Sequence, residues 1–131
     1  MEGSWYAGGN CGAEVVKHAS AGDLLKRLPG PVSLKWPQGE QFATALANGS
    51  MSVELFAPRG VDPQTPHSQD ELYFIQSGNA IFTLEAERIA CSAGDVLFVP
   101  AGADHRFGNF SDDFATWVVF WGPIGGERMQ P

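Results

Sequence analysis

The chain has 131 residues, enough for one domain, and 44% of them are hydrophobic, so it can bury a sizeable core and does not read as a disordered segment. Its formal net charge of −7 sets it against phosphate backbones and argues against nucleic acid as a partner. No run approaches the ~18 apolar residues that cross a bilayer, so no membrane partner is expected.

The first ten residues, MEGSWYAGGN, have neither a basic start nor an apolar run, so they do not read as a signal peptide, and a cytoplasmic location is expected. Residues 1–19 form a glycine-rich irregular leader. Cys11 and Cys91 stand eighty positions apart and read as two free thiols. One short helix is expected over 21–28, with Ser20 as its cap, Asp23 three positions on, and Pro29-Gly30 as its stop.

From Pro31 onward the pattern turns to β. Strands are expected at Val32–Trp36, Gln41–Ala47, Met51–Ala57, Leu72–Gln76, Ala80–Glu85, Arg88–Cys91, Val96–Val99, His105–Phe110 and Thr116–Trp121. They are short, β-branched or aromatic, and punctuated by Gly, Pro, Asn and Asp, which indicates a sandwich or barrel. Ser77-Gly78-Asn79 reads as a hairpin turn between two of them. Apolar residues fill both parities of Phe114–Trp121. That strand is either covered on both faces or meets another subunit, which would make a homodimer. The single domain spans 20–122, and the Gly- and Pro-containing tail 123–131 is expected to be flexible.

Imidazole is the commonest transition-metal ligand near neutral pH, so the three histidines are compared first. His18 has no carboxylate or thiol at ligand spacing and reads as a surface residue. His67 opens HSQDELYFIQSG, where strand parity puts His67, Gln69, Glu71, Tyr73 and Ile75 on one face and Asp70 on the other, as a solvated charge. An imidazole beside a carboxylate suits a divalent ion, because each supplies a lone pair and the carboxylate offsets charge. In GDVLFVPAGADHRFGN, turns at Gly94-Asp95 and Pro100–Gly102 flank a buried strand and fix where His105 points. Arg106 has the opposite parity, and Pro100 and Asn109 read as structural. Tyr73, Phe107 and Trp117 read as core before pocket lining.

The sequence resembles the cupin superfamily. Gly94, Pro100, Gly102, His105 and Asn109 match the second cupin motif at every fixed position, a coincidence expected on the order of once per million starting points. His67, Glu71 and Gly78 match the first motif, with Gly60 only roughly placed. The resemblance covers about residues 40–121 and implies an all-β, double-stranded β-helix (jelly-roll) barrel with one short N-terminal helix. It also implies a metal site. The family's usual fourth ligand falls on Thr65 or Gln69, depending on alignment, and neither is a histidine. Three ligands remain, His67, Glu71 and His105, which is the composition of the two-histidine, one-carboxylate facial triad. One divalent ion (Fe, Mn, Ni or Zn) is therefore expected, with Glu71 and Tyr73 assisting proton transfer. The implied function is a metal-dependent oxygenase, isomerase or lyase on a small molecule; a non-catalytic small-molecule sensor is the alternative.

Overall fold

A computed structural model describes residues 16–128. Ser20 caps α1 (Ala21–Leu25) by accepting the Asp23 N–H at 3.3 Å. The helix ends earlier than the sequence suggests. The Arg27 and Leu28 amides reach back only three residues, to the Leu24 and Leu25 carbonyls, and so form a tighter turn ahead of Pro29.

Val32–Trp36 is not a strand. Ser33 Oγ accepts the Trp36 N–H at 3.1 Å, the Ser33 N–H donates to the Trp36 carbonyl, and Pro31 and Pro37 bracket the segment. Local hydrogen bonds thus replace a ladder. Val32 and Leu34 are left exposed. The other expected strands form within a few residues of their sequence bounds: β1 (Phe42–Asn48), β2 (Met51–Phe56), β3 (Asp70–Ser77), β4 (Asn79–Leu84), β5 (Glu87–Ser92), β6 (Val96–Val99), β7 (His105–Gly108) and β8 (Ala115–Trp121).

All pairings are antiparallel. One sheet runs β1-β2-β8-β3-β6, the other β5-β4-β7. The hairpin expected at Ser77–Asn79 is therefore absent, because β3 and β4 lie in different sheets. Gly78, at φ 76°, carries the chain around the corner between them. A Cβ there would stand 2.8 Å from Phe114 Cα, so the corner has room only for glycine.

The core lies between the sheets. Tyr73, Phe82, Phe107 and Phe114 are buried there, with neighbouring ring centroids 4.7 to 5.5 Å apart. A smaller cluster, Leu24, Leu55, Ala57 and Ala115, sits where α1 covers the outside of the larger sheet. α1 covers only the Ala115–Trp117 end of strand β8. Thr116 and Val118 are buried on its inner side, and Trp117 packs against the α1 cluster outside. Beyond α1 the outer face stays open at Phe74, Val96 and Phe98, which are 40%, 54% and 51% exposed. The architecture is all-β with one short helix. Among the described residues no helix is long and apolar enough to cross a membrane.

Candidate metal centre

Three segments meet at one end of the sandwich. Glu71 is the second residue of β3, paired with Val99 of β6 and Phe120 of β8, and its side chain is fully buried. His105 opens β7 and is 1% exposed. His67 is not on a strand, since β3 begins only at Asp70. It lies in the approach to that strand, where the Gly102 N–H donates to its carbonyl at 2.8 Å. The turn of the second motif thus holds the loop of the first, and the turn's own φ of 83° at Gly102 suits a glycine.

His67 Nδ1 lies 2.8 Å from Glu71 Oε1, and His105 Nε2 lies 3.1 Å from the same oxygen. His105 Nδ1 is 2.9 Å from the Ala103 carbonyl, which can only accept. Nδ1 therefore carries a proton, so in the neutral ring the lone pair is on Nε2. Nε2 comes near Glu71 without hydrogen-bond geometry, and both it and Glu71 Oε2 are buried with no hydrogen-bond partner. A ligand atom from each of the three residues falls within 4.8 Å of the others. Nitrogen and oxygen ligands bind a transition metal at ~2.1 Å, so donor atoms this close together could share one ion. Two orphaned buried atoms beside an ionised carboxylate are the features a cation would satisfy.

The charges reinforce one another. Burial acts to raise the Glu71 carboxyl, but contacts with His105 and His67 outweigh it and hold the group down to about 2. Burial likewise acts to lower His105, but the Glu71 carboxylate, the Ala103 carbonyl and Asp62 raise it above its usual range.

The remaining sequence candidates separate cleanly. Gln69 Nε2 donates to the Ser50 and Gly122 carbonyls at 2.9 Å each, and Thr65 is exposed. Asp70 is not a solvated charge. It is 6% exposed and accepts the Ala101 and Glu127 amides at 2.9 Å each, because the segment after β8 folds back over it. Residues 123–128 are tied down there, with the Gly125 N–H also donating to Ser68 O at 2.7 Å. Arg106 points to solvent beside Asp104, Phe107 is core, Trp117 packs under α1, and His18 is exposed. Asn109 adopts a left-handed φ of 49°, a turn role asparagine tolerates. Cys91 is buried and unpaired; Cys11 lies outside the described residues.

The cupin-domain family profile matches residues 52–121, more than half the chain. The chain belongs to the cupin family. An uncharacterized protein of Streptomyces coelicolor is 42% identical over 80 residues, 60% of this chain and 76% of that one. A cupin 2 conserved barrel domain protein from Salinispora arenicola superposes with a TM-score of 0.53 at 22% identity, covering 62% of this chain and 74% of that one. A DMSP lyase from Ruegeria pomeroyi gives 0.52 at 25% identity, covering 63% of this chain and 48% of that one.

In this cupin the centre opens into a cavity of about 330 Å³, within the range of small-molecule sites. His67, 31% exposed, forms the boundary; Glu71 and His105 lie behind it and do not line the cavity surface. Trp36, Phe56 and Phe120 supply apolar wall, and Glu54 and Gln64 supply polar groups. Sequence reasoning missed both of these. Glu54 shares the inward parity of Phe56 on β2, a signal that was available. Burial, with Glu71 and Glu40 nearby, raises its carboxyl despite the opposing pull of His67. Gln64 and Asp62 lie on an irregular loop, where no periodicity could have marked them.

Proposed function

We propose that this cupin holds one divalent metal ion on His67, Glu71 and His105 and uses it on a small organic molecule seated in the adjoining cavity, as an enzyme of the oxygenase, isomerase or lyase kind. The observation that carries the reading is the pair of buried, unpartnered atoms, Glu71 Oε2 and His105 Nε2, beside a third donor. When bound, such an ion supplies Lewis acidity and open coordination positions. The chain supplies the rest. Ala103 fixes the His105 tautomer, Trp36, Phe56 and Phe120 give the cavity an apolar wall, and Glu54 faces the cavity with its carboxyl raised by burial. Glu71 and Tyr73 are the candidates for assisting proton transfer. Burial and Glu71 keep the Tyr73 phenol protonated.

Metal content by mass spectrometry, on protein purified without a His-tag, tests the reading. About one equivalent of metal is expected. Protein that is clean of metal and takes up none of Fe(II), Mn(II), Ni(II) or Zn(II) overturns it. A thermal-shift screen of sugars, keto acids and aromatic acids on loaded protein then separates enzyme from sensor: stabilisation with product formation supports the enzyme, and stabilisation without turnover supports the sensor.

The reading includes a homodimer in the cytoplasm. What supports the dimer is the apolar outer face of the larger sheet, where Phe74, Val96 and Phe98 lie side by side in register with Leu72 and Trp117. A twofold dimer would bury the same apolar patch of both copies.

A further inference from the structure

Glu71 Oε2 has no hydrogen-bond partner, although Tyr73 stands two residues along the same inward face of β3. The reason is a chain of hydrogen bonds that points the phenol elsewhere. Tyr73 Oη donates to Gln64 Oε1 at 3.1 Å, and Gln64 Nε2 donates to Asp62 Oδ2 at 2.8 Å. Asp62 is 1% exposed, and it also accepts the Gln64 and Phe107 amides at 3.0 and 2.9 Å. The polarity of this chain is forced. A carboxylate that accepts from backbone N–H groups needs donors, so the amide nitrogen of Gln64 must face Asp62. Its carbonyl oxygen then faces Tyr73, and two acceptors cannot bond, so the phenol must donate.

Building on the metal-binding reading above, we infer that the Asp62–Gln64–Tyr73 chain keeps the Tyr73 proton off Glu71 and so leaves Glu71 Oε2 free for a divalent cation. Asp62 and Gln64 touch no ligand atom; they are positioning residues that act through the phenol. Asp62 has a second effect, because it ties the loop that carries His67 to the Phe107 amide on β7, two residues past His105.

Without Gln64 Oε1 the phenol loses its acceptor and is free to turn toward the Glu71 carboxylate on the same face of β3. Its proton would then compete with the cation for that carboxylate. The test is a double-mutant cycle read with Co(II), using its visible absorption and chelator competition for affinity, with melting of the metal-free variants in parallel. Gln64→Leu is expected to weaken Co(II) binding by ~10-fold in the Tyr73 background, and by less than ~3-fold in the Tyr73→Phe background, where no proton can turn. Gln64 is half-buried at the cavity wall, and Gln64→Ala serves as a second variant should the leucine disturb folding. An equal loss in both backgrounds, or no loss in either, overturns the inference while leaving the metal site intact. Wild-type protein that binds no Co(II) overturns both.

Discussion

Strand β3 presents two faces that are unfinished in opposite ways. Inward, Glu71 carries a buried oxygen with no partner, and Tyr73 behind it is fully enclosed. Outward, Phe74 is 40% exposed beside Val96 of β6, and Phe98 stands near Trp121 with ring centroids 6.3 Å apart. The inner face has polar atoms without polar partners; the outer face has apolar atoms without apolar cover. The two deficits come from the same two-residue period, and each specifies a different kind of missing partner. A small ion answers the first and a broad nonpolar surface the second. Changes on one face should therefore leave the other's behaviour in place.

The largest expected effect breaks the inner face. His105→Ala removes a buried donor outright, and metal affinity should fall by more than the ~100-fold that loss of an outer-shell partner costs. Equilibrium dialysis followed by elemental analysis reads this directly. Loss of metal binding with unchanged oligomeric state would keep the two faces separate. Next in size is the gain on loading: at a free Zn(II) concentration of 100 times Kd, unfolding should cost about 2.7 kcal/mol more than in the metal-free protein. Chemical denaturation at matched concentrations checks it, and coincident curves would mean that the folded site does not select the ion.

On the outer face, Phe98→Glu places a charge within the apolar patch. It should weaken self-association by about 2 kcal/mol or more, as expected for a buried aromatic anchor. Sedimentation velocity over a concentration series measures this, and Co(II) affinity in the same variant should stay at the wild-type value. If the wild type sediments as a monomer at every concentration, the patch serves another purpose.

How much of this was legible beforehand depends on the range of the forces involved. Eight strands and the helix start follow from periodicity and capping, which are local, and His67, Glu71 and His105 follow from spacing. The turn at Gly78 was legible, but its consequence was not. Whether a left-handed glycine closes a hairpin or turns a corner depends on Ser111, Asp113 and Phe114 packing against it from more than thirty residues away. Asp70 misled for the same reason. Parity placed it correctly on the face opposite Glu71, but nothing local shows that Glu127 returns to cover it. Val32–Trp36 has strand composition, and a single Ser33 hydroxyl redirects it. The Asp62–Gln64–Tyr73 chain joins a loop to a strand core and leaves no trace in any pattern of the sequence.

The smallest effect is in pH, and it separates the faces most sharply. In the metal-free protein Glu71 is held to about 2 against an ordinary 4.5. Its folded value lies below its unfolded one, so the ionised group stabilises the fold above pH 4.5, and that contribution is lost as pH falls from there toward 2. His105 works the other way. Its folded value is raised above 6.5, so its contribution is full below 6.5 and disappears as pH rises through the folded value. The metal-free fold should therefore be most stable between about pH 4.5 and 6.5 and should weaken toward alkaline pH. A cation needs the His105 lone pair, so its affinity should climb over the same alkaline range. Melting curves from pH 5 to 8.5, with and without Zn(II), should diverge as pH rises. A metal-free protein that gains stability from pH 6 to 8 would mean that His105 does not feel the Glu71 charge. Phe74, Val96 and Phe98 carry no titratable group, so self-association should stay flat across this window. A dimer that dissociates in step with His105 would show that the two faces of β3 are coupled through the strand.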